Sequence, residues 1–119
     1  MEQKHIFLLS VISYVILMMI GGALPFIGKS PVVTNNDKLL HFGEFFILGI
    51  LLVKTVELYK IKNYYILAFI IAFLVVWLSE YIQLFVPSRS FSYKDMLADT
   101  LGIIASMILF SIMSNDKPH

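Results

Sequence analysis

The chain contains no cysteine. That removes a disulfide framework, a thiolate nucleophile and a zinc–thiolate centre together. Charge is scarce as well. Charged residues make up 14% of the 119, and nine Lys+Arg against eight Asp+Glu leave a net charge of +1. Such a balance gives no electrostatic footprint for nucleic acid. The sequence holds no Gly-x-Ser-x-Gly and no phosphate-cradling glycine loop, so those catalytic and nucleotide-binding signatures drop out. Linkers, low-complexity tracts and convincing internal repeats are missing too. What the chain has in abundance is apolar side chain, 59% hydrophobic residues against roughly 45–50% in soluble domains. Disorder is excluded by that composition, and one small soluble domain cannot hide so much apolar surface. An integral membrane protein follows.

The apolar residues fall into four runs, 6–24, 39–56, 64–86 and 95–113. Each is close to the 20 or so residues needed to cross a bilayer. Backbone groups in lipid must be satisfied internally, so the runs predict helices. The expected architecture is all-α, a single-domain compact antiparallel bundle of four transmembrane helices over residues 1–119. The first run resembles a signal peptide in its Lys4 start and its Gly21-Gly22-Ala23 sequence. It is longer than the usual apolar core of about 7–15 residues, so retention as a helix is expected. Basic residues set the orientation. Lys4, Lys54, Lys60, Lys62 and Lys117 fall on one side, and Lys29, Lys38, Arg89 and Lys94 on the other. Five against four favours both termini in the cytoplasm.

In such a bundle the start of the second helix, the end of the third and the start of the fourth share one end, here the outer one. The polar residues of the spans gather there. Asp37, His41 and Glu44 are spaced by four and three, one narrow arc of a helix. Glu80 and Gln83 lie near the end of the third run. Asp95 and Asp99 are four apart, and Gly102 and Ser106 continue their stripe with small side chains that allow a neighbour to approach closely. The connection before the fourth helix supplies Arg89. Glu44, Glu80 and Asp99 should sit at one level, about 6–9 Å inside the boundary. A charge at the bilayer centre costs about 2.5–3.5 kcal/mol on insertion scales. The three acids are therefore expected to face each other, Arg89 or a water-filled cavity.

Plainer roles compete with a functional one. Thr34-x-x-Asp37 and Ser92-x-x-Asp95 match a helix-start capping pattern, which would make both aspartates caps. Lys38 and Lys94 suit the headgroup region, His41 suits an interface, and Gln83 suits a hydrogen bond between helices. Arg89 and the acids would also serve as a structural lock. Trp77, Tyr81 and Phe91 read as belt or packing residues. A di-iron bundle needs a Glu-x-x-His pair from two helices and further glutamates. Here His41-x-x-Glu44 is one such pair in reverse order, so neither a metal nor another cofactor is expected.

The run Asp37-Lys38-Leu39-Leu40-His41-Phe42, then Glu80-x-x-Gln83-x-Phe85, Pro87-Ser88-Arg89 and Asp95-Met96-Leu97-Ala98-Asp99-Thr100-Leu101-Gly102 together resemble the VanZ-like membrane proteins. The order and spacing cover residues 37 to 102. Two departures stand out: the family pattern usually has Asn where this chain has Asp99, and often Gly where it has Ser88. The resemblance implies the four-helix layout. It also implies a link to resistance against teicoplanin, a lipidated glycopeptide acting on peptidoglycan precursors at the outer face.

Three functions compete. The first is a site that binds or modifies an amphiphilic lipid or cell-envelope headgroup. Arg89 with Lys38 or Lys94 would hold a phosphate or carboxylate, and Asp37, Glu44, Glu80, Gln83, Asp95 and Asp99 would engage its polar groups. Membrane lipids, a lipid-linked envelope precursor or a lipoglycopeptide are the expected partners. The second is an intramembrane hydrolase or transferase with His41 as base or nucleophile and Glu80 as acid. The third is a small dimeric transporter. Gly21-Gly22 and the Gly102 face would allow a homo-oligomer, but the first helix carries no charged residue within its apolar run.

Overall fold

A computed structural model describes residues 2–23, 35–85 and 93–115, with the side chains of residues 21–23, 35–38, 83 and 115 outside the description. Four helices account for nearly all of it: α1 (Gln3–Ala23), α2 (Asn35–Leu58), α3 (Tyr64–Gln83) and α4 (Tyr93–Asn115). Among the described residues there is no strand. Helices of 20 to 24 residues are about 30–36 Å long, the thickness of a bilayer core. All four are long and apolar enough to cross a membrane.

The helix ends follow local chemistry more than hydropathy. Both α2 and α4 start before their apolar runs, at Asn35 and Tyr93. These are the positions directly after Thr34 and Ser92, where the capping pattern puts the first helical residue. An apolar run reports the part of a helix that meets lipid, and a polar first turn extends beyond it. At the other end α3 stops at Gln83, short of residue 86. Leu84 and Phe85 close it by donating their amides to Tyr81 and Ile82, the tightened last turn common at helix ends. Pro87 follows, and a residue before proline is pushed out of the helical region. Between α2 and α3 the chain reverses over five residues, with Lys60 and Asn63 in left-handed conformation, both at φ 58°.

The helices run alternately up and down. Lys4 Nζ lies 5.3 Å from the Tyr59 ring, joining the start of α1 to the end of α2. Tyr65 at the start of α3 meets Phe110 near the end of α4, edge to face. α2 is the central helix, packed against all three others, and its contact with α4 is the most extensive. α1 is peripheral and, among its described hydrophobic side chains, buries only Val11.

The buried residues lie in stripes. On α2 they include Phe45, Leu48, Leu52 and Val56; on α3, Ala68, Ala72 and Val76; on α4, Met96, Ile103 and Ser106. Large aliphatic side chains such as Leu17, Ile66, Leu74, Leu97 and Ile108 are exposed. Long aliphatics outside, with alanines on the α3 stripe and glycines at the α2–α4 contact, are the pattern of a lipid-solvated bundle, in which small side chains let backbones meet.

Two glycines show how closely α2 and α4 approach. A Cβ added at Gly102 would strike the carbonyl oxygen of Phe42 and lie 3.1 Å from the amide nitrogen of Phe46. A Cβ at Gly49 would strike the Ser106 hydroxyl. The contact at Gly102 is with backbone, which cannot rotate away. Gly102→Ala should therefore separate the helices and cost about 1–3 kcal/mol in detergent unfolding. A Cβ at Gly43 meets nothing within 4 Å. Gly43→Ala should be neutral or stabilising by up to about 1 kcal/mol. Equal behaviour of the two variants would contradict the close approach.

Candidate functional site

At the end of the bundle where α2 and α4 begin and α3 finishes, the buried stripes change from apolar to polar. His41 precedes Phe45 by one turn on α2. Glu80 follows Val76 by one turn on α3. Asp95 and Asp99 precede Ile103 by two turns and one turn on α4. Each residue thus inherits an inward direction from the apolar stripe it extends. Glu80 and Asp99 are fully buried, and His41 and Asp95 are 8% and 7% exposed.

His41 sits between two carboxylates of one α4 face. Its Nδ1 lies 2.8 Å from Asp99 Oδ1, and its Nε2 lies 3.7 Å from Asp95 Oδ2. The first is a hydrogen bond of charge-assisted length; the second is a longer ionic contact. Gly102 makes this possible. It lies three residues beyond Asp99, and its contact with the Phe42 backbone brings α4 against α2 next to His41. Glu80 closes the group from the third helix. One ligand-type atom from each of His41, Glu80 and Asp99 lies within 4.8 Å of the other two. Three carboxylates beside one imidazole make a strongly acidic polar pocket, and burial strengthens every charge interaction within it.

The other expected members are placed differently. Glu44 is exposed on α2, and its carboxylate is not in the three-residue group. Its backbone carbonyl instead accepts a hydrogen bond of 2.8 Å from the Tyr14 hydroxyl, which ties α1 to α2. Spacing alone put His41 and Glu44 in one arc. That arc is wide enough for His41 to face α4 while Glu44 turns outward. Asp37 and Lys38 lie in the first turn of α2, and Gln83 is the last residue of α3; their side chains are outside the description. Arg89, with the rest of residues 86–92, lies outside the described residues. Lys94 is exposed at the start of α4, and Trp77 and Tyr81 are exposed on α3.

Asp95 occupies the first turn of α4, where a carboxylate is favoured by the helix dipole, and it also faces His41. The capping reading and the site reading are compatible for this residue. The expectation of no metal rests on His41-x-x-Glu44, whereas the converging donors, His41, Glu80 and Asp99, come from three different helices. The signal that would have found them is the small-residue stripe Ala68-x-x-x-Ala72-x-x-x-Val76-x-x-x-Glu80, which turns Glu80 toward the bundle axis.

The fold and this site together define a class: an integral membrane four-helix bundle with a buried histidine–carboxylate cluster at one end. The model of the VanZ/LLP1 family matches residues 9–114. The chain belongs to that family, and the match reaches from the first helix into the last. No curated protein matches the chain, and no solved structure does.

The His41–Asp99 contact is buried on both sides, so deleting one partner strands the other. Asp99→Ala should cost about 3 kcal/mol. Tyr14→Phe, which removes one neutral hydrogen bond, should cost about 1 kcal/mol. Thermal unfolding in detergent measures both. A loss for Asp99→Ala no larger than that for Tyr14→Phe would mean that the buried pair does not form.

Proposed function

We propose that this VanZ-like protein binds or modifies the headgroup of an amphiphilic lipid or cell-envelope molecule at the polar end of its bundle. The observation that carries the reading is the buried cluster of His41, Glu80, Asp95 and Asp99. Desolvating this many ionisable groups is costly, and in a membrane such groups are functional by default. The polar end faces the outer leaflet of a bacterial cytoplasmic membrane, with both termini in the cytoplasm, as the basic residues of the connections favour.

Arg89, carried by the connection between α3 and α4, holds a phosphate or carboxylate together with Lys38 or Lys94. Arginine does this in bidentate fashion. The acids at the cluster, with Asp37, Glu44 and Gln83, engage hydroxyl, amine or amide groups. The ligand is a membrane lipid, a lipid-linked envelope precursor or a lipoglycopeptide. Protection against a teicoplanin-type drug is the cellular effect this predicts.

One observation favours a catalytic version. A histidine held by a carboxylate on one ring nitrogen is the arrangement of an oriented general base, and His41 Nδ1 lies 2.8 Å from Asp99. In that version His41 activates the attacking group, and Glu80 protonates the group that leaves.

Native mass spectrometry of gently solubilised wild type, Glu80→Gln and Arg89→Ala separates these readings from a structural cluster. A lipid-mass adduct in wild type that is lost in both variants is the expected result. Identical spectra from three folded proteins would contradict the headgroup site. Turnover of an adduct by wild type but not by His41→Gln would select the catalytic version.

A further inference from the structure

We propose that His41, Glu80 and Asp99 bind one divalent transition-metal ion of zinc size, with Asp95 holding the second nitrogen of the His41 ring. The buried juxtaposition of an imidazole and two carboxylates from three helices carries the inference.

The donor set fits such an ion. One neutral imidazole and two carboxylates carry two negative charges, which a divalent cation balances. An imidazole among oxygen donors selects first-row transition metals over magnesium and calcium, which take oxygen alone. Donors around zinc lie about 2.0–2.2 Å from the metal, so neighbouring donors are about 3.0–3.5 Å apart. His41 Nδ1 and Asp99 Oδ1, at 2.8 Å, are already close to that spacing. The widest separation in the group is within 4.8 Å. Closing it requires a movement of at most about 1.3–1.8 Å, which the three side-chain torsions of Glu80 can supply.

The surroundings of His41 add an independent argument. A metal-bound histidine almost always donates its other ring N–H to a carboxylate or carbonyl, which fixes its tautomer and orientation. Here Nδ1 meets Asp99 Oδ1 at 2.8 Å, and Nε2 faces Asp95 Oδ2 at 3.7 Å, an ionic contact that a small rotation would shorten to a hydrogen bond. Asp95 is itself buried, at 7% exposure. A bare acidic cluster has no such built-in partner on the far side of an imidazole. With Nδ1 on the metal, His41 carries its proton on Nε2, directed at Asp95.

Three protein ligands leave at least one coordination position free, as in catalytic zinc sites. In the headgroup reading, on which this last step rests, that position takes a phosphate or carbonyl oxygen of the headgroup. The metal site itself stands without it.

The test uses the full-length chain, purified in detergent with a tag that contains no histidine and stripped with a chelator. Zinc alone is then titrated, followed by cobalt, whose visible spectrum reports coordination. Asp99→Asn is the main variant, because its amide oxygen still accepts from His41 and preserves the packing. Wild type should take up one zinc per chain. Asp99→Asn and Glu80→Gln should bind zinc at least tenfold more weakly, and Asp95→Asn about tenfold more weakly, as the loss of an outer-shell carboxylate commonly does. The cobalt-loaded wild type should show the absorption of a four- or five-coordinate ion. Absence of saturable zinc binding in folded wild type would overturn the proposal, as would binding unchanged in all three variants, which would place the ion elsewhere. An Arg89-dependent lipid adduct on a chain that takes up no zinc would leave the headgroup reading standing while the metal site fell. Zinc binding with no lipid adduct would do the reverse.

Discussion

The bundle depends on the backbone contact between α2 and α4. Gly102 lies against the carbonyl of Phe42, and Gly49 lies against the side chain of Ser106. In lipid the hydrophobic effect does not drive helices together, so packing and polar contacts must do so. A glycine against a neighbouring backbone gives the closest packing available. Its position matters as much as its size. Gly102 stands one turn from Asp99, and Phe42 stands next to His41. The point of closest approach therefore fixes the distance across which the imidazole and the carboxylate meet. The polar cluster is a consequence of this steric fact before it is a matter of chemistry.

The second consequence is a division of the molecule along its length. Toward the ends of α1 and α2 that meet, the contacts are aromatic and solvent-accessible, with Lys4 over Tyr59 and His5 beside the same ring. Through the middle, alanine, valine and leucine stripes fill the interior. At the opposite end the same stripes become histidine and carboxylate. Protein burial here covers a narrow apolar stripe, Phe45, Leu48 and Ile103 within it, and a few ionisable groups, while lipid solvates most of the large aliphatics. A membrane bundle has room for a buried polar site because its apolar side chains need no protein to cover them.

Much of this was legible in the sequence. Run length and the scarcity of charge gave four spans. The alternation of short connections gave the antiparallel order. The Gly102–Ser106 stripe after Asp99 pointed to a close helix contact, and the capping patterns placed the starts of α2 and α4 better than hydropathy did. The inward direction of Glu80 was legible in the alanines that precede it. Other features were not. A three-residue spacing on a helix leaves tens of degrees between side chains, and no sequence rule decides which of His41 and Glu44 faces α4. The Tyr14 hydroxyl bonds to a backbone carbonyl, a partner that carries no residue identity. The convergence of three donors from three helices depends on rotations of each helix about its axis, which only packing determines.

The most direct measurement of the α2–α4 contact uses the absence of natural cysteine. The Gly49 Cβ position lies 2.9 Å from Ser106 Cβ, a little inside the usual disulfide separation of about 3.5–4.5 Å. A Gly49→Cys/Ser106→Cys double variant, oxidised mildly in membranes, has no other thiol to pair with inside the chain. Rapid, near-complete formation of an intramolecular disulfide, read by gel mobility and by mass, is the predicted result. A folded double variant whose two thiols both stay free and alkylate at the rate of exposed cysteines would contradict the close approach of α2 and α4, and with it the geometry of the His41 cluster.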